Sequence, residues 1–260
     1  MNTEISPVEN AKRIAAMQAA TYVQPGMKVG LGTGSTAAWL VKILGERVRE
    51  EGLDFMAVPT SERTATQARE EGINVVTLDE AGWLDLTIDG TDEYDPALNL
   101  IKGGGGAHLR EKLVATASDR MIVIADASKQ VPQLGGFPLP VEVLAFGLDA
   151  TRKLVAEALE NMDVGGTEIV LRGGAETPYV TDEGNHILDL HLRTIGDPAV
   201  LSLALNQIPG VVENGLFIDM CDLVILGYQD GRVTLHDVEN GEYPAPELRK
   251  PDNIFADVAD

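Results

Sequence analysis

Between Val8 and Val23 apolar side chains return at helical spacing, at Ala11, Ile14, Ala15 and Tyr22, until Pro25 and Gly26 end the pattern. The chain therefore opens on an amphipathic helix. MKVGLG from Met27 is a short apolar run of the buried-strand type, and a second helix starts after the glycines near Ser35 and carries Trp39, Leu40, Ile43 and Leu44. The same grammar continues with a strand at 54–58, a helix at 61–71, strands at 73–77 and 84–88, a helix at 107–117 and the unbroken apolar strand RMIVIA at 120–125. Helices alternating with strands that are apolar on both faces predict a parallel sheet covered on both sides.

Gly135, Gly136, Pro138 and Pro140 interrupt that rhythm. Beyond them the pattern predicts strands at 141–146, 168–172, 179–181 and 186–191, a helix at 150–161 and another after Asp197-Pro198, with DEGN at 182–185 as the turn of a hairpin. Strand signals return from Val211, with apolar runs at 216–218 and 223–226. The expected fold class is α/β: a Rossmann-like parallel-sheet domain, residues 1–138 and 208–240, interrupted by a smaller α+β, ferredoxin-like domain at 139–207. The acidic, proline-containing tail at 241–260 has little to bury and is expected to be loosely held.

Composition narrows the function. Over 260 residues, 44% of them apolar, no run approaches the roughly 18–20 apolar residues of a membrane span, and MNTEISPVEN is no secretory signal, so a cytoplasmic protein is expected. A net charge of -21 argues against nucleic-acid and anionic-membrane partners, and it requires that an anionic ligand be captured by local cations. The excess of acids is either a solvated acidic surface or an adaptation to a high-salt cytoplasm; under the second reading the melting temperature rises as salt is taken to molar concentration. Cys221 is the only cysteine, which excludes an intrachain disulfide, and its apolar neighbours mark a small buried side chain.

The chemistry concentrates in DGTDEYDPALNLIKGGGGAHLREK, residues 89–112. Four consecutive glycines, Gly103 to Gly106, suit neither a helix nor a strand interior and signal close approach of backbone to a small polar ligand. Lys102 before them and Glu111 after them can face one cavity. Asp89 and Asp92, flanking Gly90 and Thr91, follow an apolar strand at the edge where open α/β sheets bind ligands. Turn-forming aspartates or a magnesium site are the other readings of these acids, but no further oxygen-ligand pattern accompanies them, and His108, His186, His191 and His236 lack metal-pair spacing, so no metal is expected. Upstream, GLGTGSTA places Thr33, Gly34, Ser35 and Thr36 before a helix, where backbone amides receive an anion. That loop also fits the G-x-G-x-x-A dinucleotide form, but the second strand ends in Pro59 and Thr60 where a ribose-holding acid belongs, so a phosphate monoester suits it better than a nicotinamide cofactor. Lys129 in DASK, and Lys12 on the first helix, supply positive charge.

GLGTGSTA, DGTDE, NLIKGGGGAHLREK, IADASK, GGFPLPVEV, VTDEGNHILDL and IPGVVENGLF, in that order from about Tyr22 to about Gly227, resemble ribose-5-phosphate isomerase of the A type. The resemblance implies interconversion of ribose 5-phosphate and ribulose 5-phosphate in the pentose phosphate pathway without metal or organic cofactor, by a homodimer or homotetramer. It assigns Glu111 as general base and gives Lys102, Asp89 and Asp92 the sugar hydroxyls and ring opening. The amides of Gly103, Gly104 and Gly105 take the developing oxyanion, and Thr33 to Thr36 with Lys129 bind the ligand's anionic and hydroxyl groups. Two positions depart from the family: His108 replaces an apolar residue, and Pro59-Thr60-Ser61 a more serine-rich segment. His108 is expected either to tune Glu111 or to face solvent. The rival readings are a sugar-phosphate sensing domain, which would need a DNA-binding module and a basic face, and an amino-sugar phosphate deaminase.

Overall fold

The computed structural model describes residues 5–248; the expected tail beyond Leu248 lies outside the described residues. In chain order the first elements are α1 (Pro7–Ala20), β1 (Lys28–Leu31), α2 (Ser35–Glu51), β2 (Met56–Pro59), α3 (Glu62–Glu70), β3 (Asn74–Val75), α4 (Leu78–Ala81), β4 (Leu86–Asp89), β5 (Glu93–Tyr94), β6 (Leu100–Ile101), α5 (His108–Thr116) and β7 (Met121–Asp126). They are followed by β8 (Leu139–Val143), α6 (Leu148–Leu159), β9 (Glu168–Leu171), β10 (His186–His191), α7 (Pro198–Asn206) and β11 (Val211–Asn214). The chain closes with β12 (Leu216–Phe217), β13 (Leu223–Gly227), β14 (Val233–Asp237) and β15 (Gly241–Pro244). Among the described residues no helix is long and apolar enough to cross a membrane.

Eight strands form the main sheet in the order β15-β14-β13-β7-β4-β1-β2-β3. Those from β13 to β3 run parallel, and β14 and β15 add an antiparallel edge. All six residues of β7 are buried, and they feed two cores: Ile122 and Ile124 pack on one face, Met121, Val123 and Ala125 on the other. Each of the Met, Ile and Val side chains, fully buried, stabilises the fold by about 1.5–3 kcal/mol relative to exposure. The strand order reverses at β1, with β2 and β3 to one side and β4, β7 and β13 to the other. The crevice beyond the carboxyl ends of β1 and β4 is therefore the topological switch point where such sheets receive ligands.

The strands β11-β8-β10-β9 make a second, wholly antiparallel sheet. With α6 and α7 in between, the segment 139–214 runs β-α-β-β-α-β, the ferredoxin-like arrangement. Its core joins Leu139, Val141, Leu188 and Leu190 of the sheet to Val155, Leu159, Leu201 and Leu205 of the helices. A three-stranded sheet, β12-β6-β5, stands between the two larger ones.

Four of the departures from the sequence pattern change a pairing or a boundary. The return to the main sheet comes later than residue 208, because β11 pairs with β8. No strand forms at 179–181: β10 pairs directly with β9, and Thr181 instead donates its hydroxyl to Glu142 at 2.8 Å. The strand expected to reach Thr77 stops at Val75, since Thr77 and Glu80 form a capping box that opens α4. The tail is not loose over its first residues, as β15 pairs with β14.

Candidate active site

Three charged side chains meet at the switch point. Asp89 is the last residue of β4, Lys102 follows β6 directly, and Glu111 sits in the first turn of α5. Asp89 is completely buried, Lys102 is 2% exposed and Glu111 3%. The Lys102 ammonium lies 2.9 Å from Asp89 Oδ2 and 3.4 Å from Glu111 Oε2, and it donates to the Gly90 carbonyl at 2.6 Å. The Phe217 ring, 5.4 Å from Nζ, closes the remaining side. The other Asp89 oxygen accepts the amides of Thr33 at 3.0 Å and Gly90 at 2.7 Å, which ties the loop after β1 to the loop after β4. Only glycine fits at position 32, because a Cβ there would stand 1.9 Å from Asp89 Oδ1. Among the described residues Glu111 Oε2 has no polar partner besides the Lys102 ammonium.

Burial works against the Lys102 ammonium, but Asp89 and then Glu111 outweigh it and hold its pKa up at about 12. Burial raises the Glu111 carboxyl from the ordinary 4.5 to about 8; Asp89 adds to the rise, Lys102 opposes it and Asp92 contributes further. Burial also pushes Asp89 up, against the Lys102 charge and the two amides. A base with the Glu111 value works only when ionised. Hence kcat/KM for an aldose phosphate is expected to rise about tenfold per pH unit below pH 8 and to level off above it. A plot of log kcat/KM that stays flat from pH 6 to pH 9 would contradict the assignment.

The glycines form a tight turn. Gly106 N donates to Gly103 O at 2.9 Å, with Gly103 at φ +108° and Gly106 at φ +77°, and Gly104 N donates to Asp92 Oδ2 at 2.7 Å. His108 packs beneath Gly103, where an added Cβ would come 2.7 Å from its Nδ1. It neither faces solvent nor titrates near neutrality: it is fully buried, its Nε2 is 3.4 Å from Glu213 O, and burial pushes its pKa down to about 3.

A cavity of about 270 Å³ is lined by Lys12, Thr33, Gly34, Ser35, Thr36, Gly90, Thr91, Asp92, Lys102, Gly103, Gly105, Glu111 and Lys129. Of the residues expected to touch a ligand, Asp89 and Gly104 are absent from this wall. Asp89 is sealed behind Lys102, so it cannot hold a sugar hydroxyl as expected; it holds the ammonium instead. The Thr33 hydroxyl is likewise committed, to Thr60 and Ser61 at 2.8 Å each and Thr64 at 3.2 Å, leaving Ser35 and Thr36 as the hydroxyls of that loop. Asp126 and Ser128 line the cavity without having been singled out, although they belong to the DASK segment. Lys12 is steered by Glu9, 2.7 Å away, which also accepts the Trp39 indole at 2.9 Å. Gly34 caps α2 with no side chain, so the first amides of that 17-residue helix are available to an anion. Cys221 is buried with its thiol pushed up to about 12, away from any nucleophilic role. A wider groove of about 450 Å³, bordered by α3, α4 and α5, is lined by Val58, Val76, Leu113 and Val114 and contains no group with the Glu111 environment.

A sequence model of the family described as ribose 5-phosphate isomerase A (phosphoriboisomerase A) matches residues 56–231. The chain is 61% identical to ribose-5-phosphate isomerase A of Ruegeria sp. (strain TM1040), over 100% of both chains, and 62% identical to that of Cereibacter sphaeroides (strain ATCC 17023), again over 100% of both. Among solved structures it is similar to ribose 5-phosphate isomerase A from Methanocaldococcus jannaschii, with 40% identity and a TM-score of 0.80 over 87% of this chain and 97% of that one. It is also similar to a D-ribose-5-phosphate isomerase in complex with phospho-erythronic acid, with 38% identity and a TM-score of 0.82 over 88% of this chain and 99% of that one.

Proposed function

The chain belongs to the ribose 5-phosphate isomerase A family, and from that premise we propose that it interconverts D-ribose 5-phosphate and D-ribulose 5-phosphate with Glu111 as the general base. The observation that carries this reading is the buried Lys102 ammonium between two carboxylates, one of which, Glu111, lines the cavity.

In the open-chain aldose, Glu111 takes the proton from C2. The C–H electron pair forms the C1–C2 double bond and the carbonyl electrons move onto O1, giving a cis-enediolate. Return of the proton to C1, with transfer of the C2 hydroxyl proton to O1, gives the ketose. Lys102, kept charged by its two carboxylates, and the Gly105 amide of the glycine turn stabilise the oxygen that gains charge. Asp92 has one oxygen on Gly104 N and offers the other to a sugar hydroxyl during ring opening. The α2 N-terminus, Ser35, Thr36, Lys12 and Lys129 take the phosphate. The phospho-erythronic acid of the related structure supports this division, since it pairs a phosphate with a carboxylate that resembles the enediolate in charge. The Lys102 ammonium already supplies a cation between the carboxylates, in agreement with a reaction that needs no metal. The same reading makes the protein a cytoplasmic homodimer or homotetramer, supported by exposed Leu154, Val200 and Leu203 on the helices of the smaller domain.

Purified protein incubated with ribose 5-phosphate and a chelator is expected to form ketose, at low and at molar salt. No ketose under either condition would overturn the reading.

A further inference from the structure

Arg172, the first residue after β9, reaches from the ferredoxin-like sheet onto the glycine turn. Its Nη1 donates to Gly103 O at 2.9 Å and to Gly104 O at 3.3 Å. The opposite edge of the guanidinium is forked onto Asp189 of β10, with Nε donating to Oδ2 at 2.9 Å and Nη2 to Oδ1 at 2.5 Å. The Tyr179 ring lies 5.8 Å from the guanidinium carbon. A planar group fixed by a bidentate carboxylate holds its remaining donors in one direction.

That direction matters for the turn. Every peptide here is trans, so each N–H points opposite to the carbonyl of its own peptide group. Drawing Gly103 O toward Arg172 sends Gly104 N–H the other way, where it meets Asp92 Oδ2, a residue of the cavity wall. Drawing Gly104 O the same way turns Gly105 N–H off the Arg172 side, and Gly105 also lines the cavity. Glycine peptides have no side chains to fix their planes, so Arg172 and Asp92 add to the single Gly106 N–H to Gly103 O bond in selecting the orientation. The positive charge on the carbonyls also strengthens the amides as donors.

We infer that Arg172, oriented by Asp189, is a positioning residue for the isomerisation: from the smaller domain it holds the Gly104 amide on Asp92 and aims and polarises the Gly105 amide at the cavity where the oxygens react. This rests on the isomerase reading above. Loss of one oxyanion donor typically costs about 10²- to 10³-fold in kcat; loss of the group that aims it is expected to cost about 10- to 100-fold.

The test uses the full-length protein and the variants Arg172→Met, Arg172→Ala and Asp189→Asn. For Arg172→Met the inference expects kcat to fall in that range, KM for ribose 5-phosphate to move less than about threefold, and affinity for phospho-erythronic acid to fall in parallel with kcat. Inorganic phosphate should bind as in the wild type. Added guanidinium ion should restore kcat of Arg172→Ala in a saturable way, and Asp189→Asn should fall between wild type and Arg172→Met. Unchanged kcat in Arg172→Met overturns the inference, as does a loss of activity that follows a lower melting temperature and is not relieved by guanidinium. Wild-type activity separates the two levels: an inactive wild type overturns the isomerase reading and this inference with it, whereas an active wild type with an equally active Arg172→Met overturns the inference alone.

Discussion

Glu111→Gln is expected to lower kcat for ribose 5-phosphate by about 10³-fold, inside the 10²- to 10⁴-fold range for a positioned general base, while phospho-erythronic acid still binds. The amide keeps the size of the carboxylate and cannot accept the C2 proton. The same change separates an enzyme from a binding domain, because a sensor would be indifferent to it. It also has a stability signature of defined sign. With a folded pKa of about 8 against an ordinary 4.5, native Glu111 holds a proton across that window that the unfolded chain has released. Wild-type stability from this group is therefore full below about pH 4.5 and is lost as pH rises to 8. Glu111→Gln removes that loss, so the variant should melt higher than the wild type above pH 8. Full activity, or a lower melting temperature at pH 9, would contradict the role given to this carboxyl.

Lys102→Met should have the second large effect, on folding as well as on rate. It keeps the stem against Phe217 and deletes the ammonium that compensates Asp89 and Glu111, which are 0% and 3% exposed. Breaking a buried pair by removing one partner costs about 3–5 kcal/mol, and in a chain of this size that lowers the melting temperature by about 10 °C. The deficit should be greatest at alkaline pH and shrink on acidification, as the two carboxyls take up protons that make the missing cation unnecessary. Ketose formation should be lost throughout. Calorimetry that finds the variant as stable as wild type at pH 9 would show that the ammonium is not what keeps the two acids compatible.

Where a feature depends on neighbours along the chain, the sequence carried it. RMIVIA is apolar on both faces because β7 is covered on both faces, and the glycine loops announced themselves because a Cβ would collide with a neighbour at Gly30, Gly32, Gly103, Gly104 and Gly106. Lys102, Glu111 and the α2 N-terminus were legible for the same reason: one loop and one helical turn bring the first two together, and GLGTGSTA directly precedes the third. What escaped depends on contacts between distant segments. Asp89 and Asp92 look alike on either side of Gly90 and Thr91, and only the Lys102 ion pair and two amides decide that the first is sealed while the second meets the cavity. Thr33 looked like a ligand donor until Thr60, Ser61 and Thr64, about 30 positions away, claimed its hydroxyl. Arg172 reaches Gly103 across 69 positions through the β9–β10 register, a relation with no local signature. β5 and β6 are two residues long, too short to show any period, yet they place Lys102.

The central claim is that one buried carboxylate carries a proton between C1 and C2 of the sugar. Wild-type protein and Glu111→Gln should be held with ribose 5-phosphate in D2O to equilibrium and followed by proton NMR. Deuterium at C1 of ribulose 5-phosphate and at C2 of ribose 5-phosphate with the wild type, and none with the variant, is the predicted result. Ketose that accumulates without solvent deuterium, or equal labelling by the two proteins, would contradict it.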